Sequence, residues 1–176
     1  MSGTAGAPRV AVVVGNPKPR SRTHAAATWL ATQLAGGAEP ASVLDLADLG
    51  PELFDGGSTA VADAVAQVQA ADVVVVASPT YKGTYTGLLK LFLDRFSTTG
   101  LAGSIAVPFL LGAGPTHTLA PASLAAVLEE IGADVVTRGL YVIDAAHDDP
   151  AAYADWLATV RPVVAALASR TAGDPA

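Results

Sequence analysis

Three short stretches of this chain concentrate the residue types that bind and orient a charged or aromatic small molecule. The first, Gly15-Asn-Pro-Lys-Pro-Arg-Ser-Arg-Thr23, sets Lys18, Arg20 and Arg22 among Asn16, Ser21 and Thr23. It joins an apolar run to a helical pattern. Free amides and the helix dipole make such a junction a site for anions, phosphate above all. The plainer alternative is a helix cap at Ser21 or Thr23 with solvated cations. Neither Gly-x4-Gly-Lys-Ser/Thr nor Gly-x-Gly-x-x-Gly is present, which disfavours a nucleoside-triphosphate loop and the dinucleotide fingerprint.

The second stretch is Ser78-Pro-Thr-Tyr-Lys-Gly-Thr-Tyr-Thr-Gly87. Pro79 sets an extended exit from a strand and Gly83 permits a turn. Hydroxyls, exposed amides and two tyrosines suit a flat aromatic ligand with polar edges. The alternative is a turn whose tyrosines pack on the next helix. The third stretch, Gly112-Ala-Gly-Pro-Thr-His117, has glycines that let the backbone approach a ligand closely, and one of only three histidines. Asp144, His147, Asp148 and Asp149 carry metal-ligand chemistry on paper. They precede a helix near Pro150, where acids serve capping and the helix dipole, and no metal is assigned to them.

These loops need a frame. Five strand-like runs, Val10–Val14, Ser42–Leu46, Val73–Ala77, Ile105–Leu111 and Val135–Ile143, recur about every 32 residues, the size of a βα unit. The first and third are nearly pure valine, as strands buried on both faces of a parallel sheet are. Helical patterns fill the gaps at Thr23–Ala35, Ser58–Ala71, Tyr85–Ser97, Leu119–Ile131 and Pro150–Arg170, the last interrupted by Pro162, which should kink or split it. The alternation predicts an α/β fold of three layers around a five-stranded parallel sheet in the order 2-1-3-4-5. Its ligand crevice lies outside the carboxyl ends of strands 1 and 3, where all three loops emerge.

Composition agrees. Of 176 residues, 51% are hydrophobic and 15% charged, and the apolar runs are strand-length, far short of the ~20 needed to span a membrane. The net charge of −6 gives no basic face for nucleic acid or an anionic membrane. The absence of cysteine excludes disulfides and thiolate metal sites and fits a cytoplasmic location. Residues 9–170 read as one domain, with tails at 1–8 and 171–176 and no apolar signal segment at the start.

The segment from Ser78 to Asp94, with Pro79, Tyr81 and Gly87-Leu-Leu-Lys90 before Asp94, resembles a run in the NADPH-dependent FMN reductases of the flavodoxin-like superfamily. The resemblance is greatest to the flavin reductases of two-component alkanesulfonate monooxygenase systems. Gly114-Pro-Thr-His117 and the Gly15–Thr23 loop match two further family stretches, with Asn16 where a serine is usual. The resemblance covers about residues 9 to 165 and implies a flavodoxin-like fold. By this resemblance Asn16, Lys18, Ser21 and Thr23, with Arg22 beside them, hold the FMN phosphate. Pro79, Thr80, Tyr81 and Lys82 line the isoalloxazine next to Gly83 and Thr84, and Gly112, Gly114 and His117 close the other side.

The implied activity is hydride transfer from NADPH or NADH to FMN, with the reduced flavin supplied to a partner monooxygenase. Flavin and nicotinamide do that chemistry, so no catalytic side chain is assigned. The loop cations suit the FMN phosphate, the nucleotide 2′-phosphate, or both. A homodimer or homotetramer is implied, with Lys90 and Asp94 pairing across subunits or within their own helix. Thr118–Leu124 has no aromatic, implying the uninterrupted form of that helix. Two alternatives remain on the same scaffold: an enzyme that retains FMN and reduces quinones, azo compounds or chromate, and a flavodoxin-like electron carrier.

Overall fold

In the computed structural model, which describes residues 7–171, valine-rich β1 (Val10–Val14) and β3 (Val73–Pro79) lie side by side at the sheet centre. β2 (Ser42–Asp45) flanks β1, β4 (Ile105–Gly112) flanks β3, and β5 (Leu140–Ile143) closes the far edge. All pairings are parallel and the order is β2-β1-β3-β4-β5, as the alternation predicts.

Strand periodicity divides the valines between two cores. Val10, Val12 and Val14 face α1 (Arg22–Leu34) and α6 (Ala151–Thr171), packing with Ala26, Leu30 and Trp156. Ala11 and Val13 face α3 (Thr59–Gln69), α4 (Gly87–Leu93) and α5 (Ala120–Glu130), packing with Val61, Leu89 and Leu124. Alanines on the inner side of α1, such as Ala27 and Ala31, are fully buried and let that helix lie close to the sheet.

Several boundaries differ from the expected runs. β2 ends at Asp45, because Asp45 caps a four-residue helix, α2 (Leu46–Leu49), that leads into a 3-10 turn at Gly50–Phe54. β3 runs on through Pro79, and α4 is shorter than its apolar pattern. β5 begins at Leu140 rather than Val135, and Pro108 explains why. Along β4 the odd-numbered residues from Ile105 to Leu111 turn their polar groups to β3: Ile105 N donates to Asp72 O, and Leu111 O accepts from Thr80 N. The even-numbered residues face β5. Ala106 N reaches Asp134 O, but Pro108 has no N–H to offer next, so the ladder breaks and resumes at Phe109 opposite Leu140. The detour is fixed where Trp156 Nε1 donates to Arg138 O at 2.7 Å.

α6 is not split by Pro162, which sits on its exposed side. α5 is an uninterrupted α-helix. Most of the two expected tails lies outside the described residues.

Candidate functional site

The β1–α1, β3–α4 and β4–α5 loops meet above the carboxyl ends of β1, β3 and β4. Gly15 N donates to Ala77 O at 2.7 Å, which carries the β1–β3 pairing past the end of β1. Gly15 has no room for a side chain, since a Cβ there would lie 2.5 Å from Leu89 Cβ. Thr86 ties the first loop to the second. Its Oγ1 donates to Gly15 O at 2.6 Å and accepts the Leu89 amide, capping α4, while its own amide donates to Ser78 Oγ.

In the first loop Ser21 is the N-cap of α1, its Oγ accepting the His24 amide at 3.2 Å. A helix leaves its first amides without intrahelical acceptors. The Ser21 side chain takes one of them, and the amides of Arg22 and Thr23 have no acceptor among the described residues. Asn16 spans the loop: its Nδ2 donates to Thr23 Oγ1 at 3.1 Å and its Oδ1 accepts the Lys18 amide at 2.9 Å. Ser21 and Thr23 are buried.

The three cations do not act together. Arg20, at φ 49°, gives its amide to the buried Asp45 carboxylate and its guanidinium to both oxygens of Asp48. The Asp48 hydrogen bond and charge raise its pKa further. Arg22 pairs with Asp144. Only Lys18 has no carboxylate partner among the described residues. The loop is therefore less positive than its sequence suggests. Its acidic partners were invisible locally, because they arrive from 28 and 122 residues away.

In the second loop Tyr81 and Thr84 exchange backbone hydrogen bonds of 2.8 and 3.2 Å around Lys82 and Gly83, both at positive φ (53° and 86°). Such a turn favours glycine or asparagine, so Lys82 is strained. Tyr85 packs against the helical core, as the plainer alternative held, whereas Tyr81 is 52% exposed. Thr84 Oγ1 shares a 2.6 Å hydrogen bond with Ser123 of α5. In the third loop a Cβ on Gly112 would fall 1.8 Å from Tyr141 Oη, and that hydroxyl donates to Gly114 O at 2.6 Å. Burial raises the Tyr141 pKa and favours this neutral donor.

The resulting cleft, about 380 Å³, is lined by Asn16, Lys18, Ser21, Arg22 and Thr23, by Pro79, Thr80 and Tyr81, and by Leu111, Gly112, Ala113 and Asp144. Thr80 Oγ1 is buried without a hydrogen-bond partner there. Free amides, an unpaired ammonium and an orphan hydroxyl fit a phosphorylated ligand with a polar flat ring. Lys82, Gly83, Thr84, Gly114 and His117 are not among the residues that line this cleft. A Cβ on Gly83 would lie 3.6 Å from His117 Cδ2, so the second and third loops touch at their tips. A larger groove of about 610 Å³ between Leu119, Val135 and Trp156 collects nothing from the first two loops.

Asp144 lines the cleft, although its position ahead of α6 suggests a helix cap. It does not cap α6; Asp149 does, its Oδ1 accepting the Ala151 amide at 2.9 Å. Lys90 pairs with Asp94, the C-cap of α4.

Residues 8–148 match the family model described as NADPH-dependent FMN reductase. The chain is 30% identical over 142 residues to an FMN reductase (NADPH) of Escherichia coli, covering 77% of this chain and 73% of that one. It is 34% identical over 89 residues to an FMN reductase (NADPH) of Pseudomonas putida, covering 50% and 43%. The solved apo form of an NADH:FMN oxidoreductase superposes with a TM-score of 0.77 at 27% identity, over 94% of this chain and 91% of that one. An archaeal flavodoxin shares the fold, with a TM-score of 0.59 at 16% identity over 92% and 98%. The chain belongs to the NADPH-dependent FMN reductase family and is an NAD(P)H-dependent flavin oxidoreductase that uses FMN.

Proposed function

We propose that this enzyme takes FMN into the three-loop cleft as a passing substrate and hands it on reduced to a flavin-dependent monooxygenase. One observation carries the placement. The cleft brings together two free helix amides, the unpaired Lys18 and the orphan Thr80 hydroxyl, beside a wall of Pro79 and Tyr81. The flavin supplies the hydride-accepting ring when bound. The protein's part is positional. The Arg22 and Thr23 amides, Asn16, Lys18 and Ser21 receive the phosphate, and Pro79, Thr80 and Tyr81 set the plane of the ring. Lys82, Gly83 and Thr84, with Gly112, Gly114 and His117, bound the space in which the nicotinamide must stack. The openness of the cleft and its near-cancelled loop charge favour release over retention.

A homodimer or homotetramer in the cytoplasm fits this reading; among the described residues no helix is long and apolar enough to cross a membrane. The test is steady-state NADPH and NADH oxidation with FMN varied, together with gel filtration of protein incubated with FMN. A substrate gives hyperbolic dependence on FMN and elutes free of the protein. Stoichiometric co-elution, with turnover only on a quinone, azo or chromate acceptor, would establish the retained-FMN alternative instead.

A further inference from the structure

Arg22 opens α1 and Asp144 opens the short turn Asp144–Ala146 after β5, and the two side chains meet across the cleft that both line. Nothing else in the described structure engages either group. Asp45 takes two backbone amides and Asp149 caps α6, but the Asp144 carboxylate receives only the Arg22 Nη1. The Arg22 guanidinium likewise donates only to Asp144. Their side chains are 63% and 38% exposed, so the pair is screened by water and contributes little to the fold. A fold with no need of this pair has nevertheless placed a carboxylate against a phosphate-loop arginine.

We propose that Asp144 competes with the ligand's phosphate for Arg22 and so sets how weakly a phosphomonoester binds. The inference rests on the cleft being the flavin site. A phosphomonoester carries about −1.5 to −2 charges at neutral pH. To reach Arg22 it must displace Asp144 and then tolerate that carboxylate nearby. Arg20 does not substitute, since it does not line the cleft and Asp48 and Asp45 take its guanidinium and its amide. Asp144 thereby keeps a ligand that must come and go from becoming a resident one. The phosphate is the 5′-phosphate of FMN or the 2′-phosphate of NADPH, and these are separable by experiment.

The experiment compares wild type with Asp144→Asn, and with Asp144→Ser should the amide form a new hydrogen bond. Flavin fluorescence quenching gives Kd for FMN and for riboflavin; steady-state kinetics give KM for NADPH and for NADH. Removing the carboxylate should tighten one ligand roughly three- to tenfold and leave unchanged the counterpart that lacks the phosphate in question, riboflavin for FMN or NADH for NADPH. A change in the FMN pair assigns the competitor to the flavin, and a change in the NADPH pair assigns it to the nucleotide. The tightened binding should weaken more steeply with salt than in wild type. In an Arg22→Gln background the gain should shrink. The inference is overturned if Asp144→Asn weakens binding, which would make the carboxylate a support for Arg22. It is also overturned if both members of each pair change alike, or if the gain is undiminished without Arg22. A wild type with equal affinity for FMN and riboflavin, and equal KM for the two nucleotides, would instead remove the site reading beneath it.

Discussion

Thr86 Oγ1 donates to the carbonyl of Gly15 across 2.6 Å, so one hydroxyl joins two loops 71 residues apart in sequence. The same oxygen caps α4 through the Leu89 amide. Thr86 is 3% exposed, and replacing it with valine leaves both the carbonyl and the amide without this partner. Thr86→Val should cost about 2 kcal/mol, read as a lower urea midpoint at unchanged slope. Thr86→Ser should recover most of the loss.

Gly112 and Tyr141 are a matched pair. Gly112→Ala puts a methyl group where the Tyr141 hydroxyl lies, forcing the ring away and breaking its bond to Gly114 O. The third loop then loses its anchor. We expect about 1–3 kcal/mol of destabilisation from overpacking, with FMN affinity reduced as well. Denaturation and flavin titration on one preparation measure both. Tyr141→Phe should cost about 1 kcal/mol, the value of the hydrogen bond alone.

Tyr153 gives the fold a limit at high pH. Burial, with a smaller contribution from the Asp148 charge, pushes its pKa from 10.0 up to about 12, and its hydroxyl donates to His147 O. The unfolded chain loses this proton at lower pH than the folded one. The stabilisation is therefore complete below pH ~10 and is lost as pH climbs towards ~12, amounting to roughly 2–3 kcal/mol over that window. Stability measured between pH 9 and 12 should fall more steeply in wild type than in Tyr153→Phe.

Lys82 occupies a left-handed position at the tip of the second loop. Asparagine tolerates that conformation better, so Lys82→Asn should raise stability by roughly 0.5–1 kcal/mol, observed as a higher Tm.

The elements are legible in the sequence where burial leaves one pattern. Val73 to Val76 face helices on both sides and advertise a central strand. They are hidden where a distant residue decides. Val135 continues an apolar run, yet a single missing N–H on Pro108 delays β5 to Leu140. The short α2 was hidden because its cap, Asp45, reads as the end of a strand. The site followed the same division. That Ser21, Thr23 and Thr80 come to one cleft was legible from their place after strands, since topology alone carries such loops to one edge. The pairing of Arg22 with Asp144, and so the true charge of the loop, depends on a contact across 122 residues for which no local spacing is a signal.

The central claim, that the Gly15–Thr23 loop receives the flavin phosphate, is tested most directly by titrating FMN and riboflavin into wild type and Lys18→Ala. Lys18 is the loop cation without a carboxylate partner among the described residues, so its loss should fall on the phosphate alone. Wild type should prefer FMN by about tenfold or more, and Lys18→Ala should lose several-fold of that preference with riboflavin unchanged. Equal affinity of wild type for the two flavins, or an equal fall for both in Lys18→Ala, would contradict it.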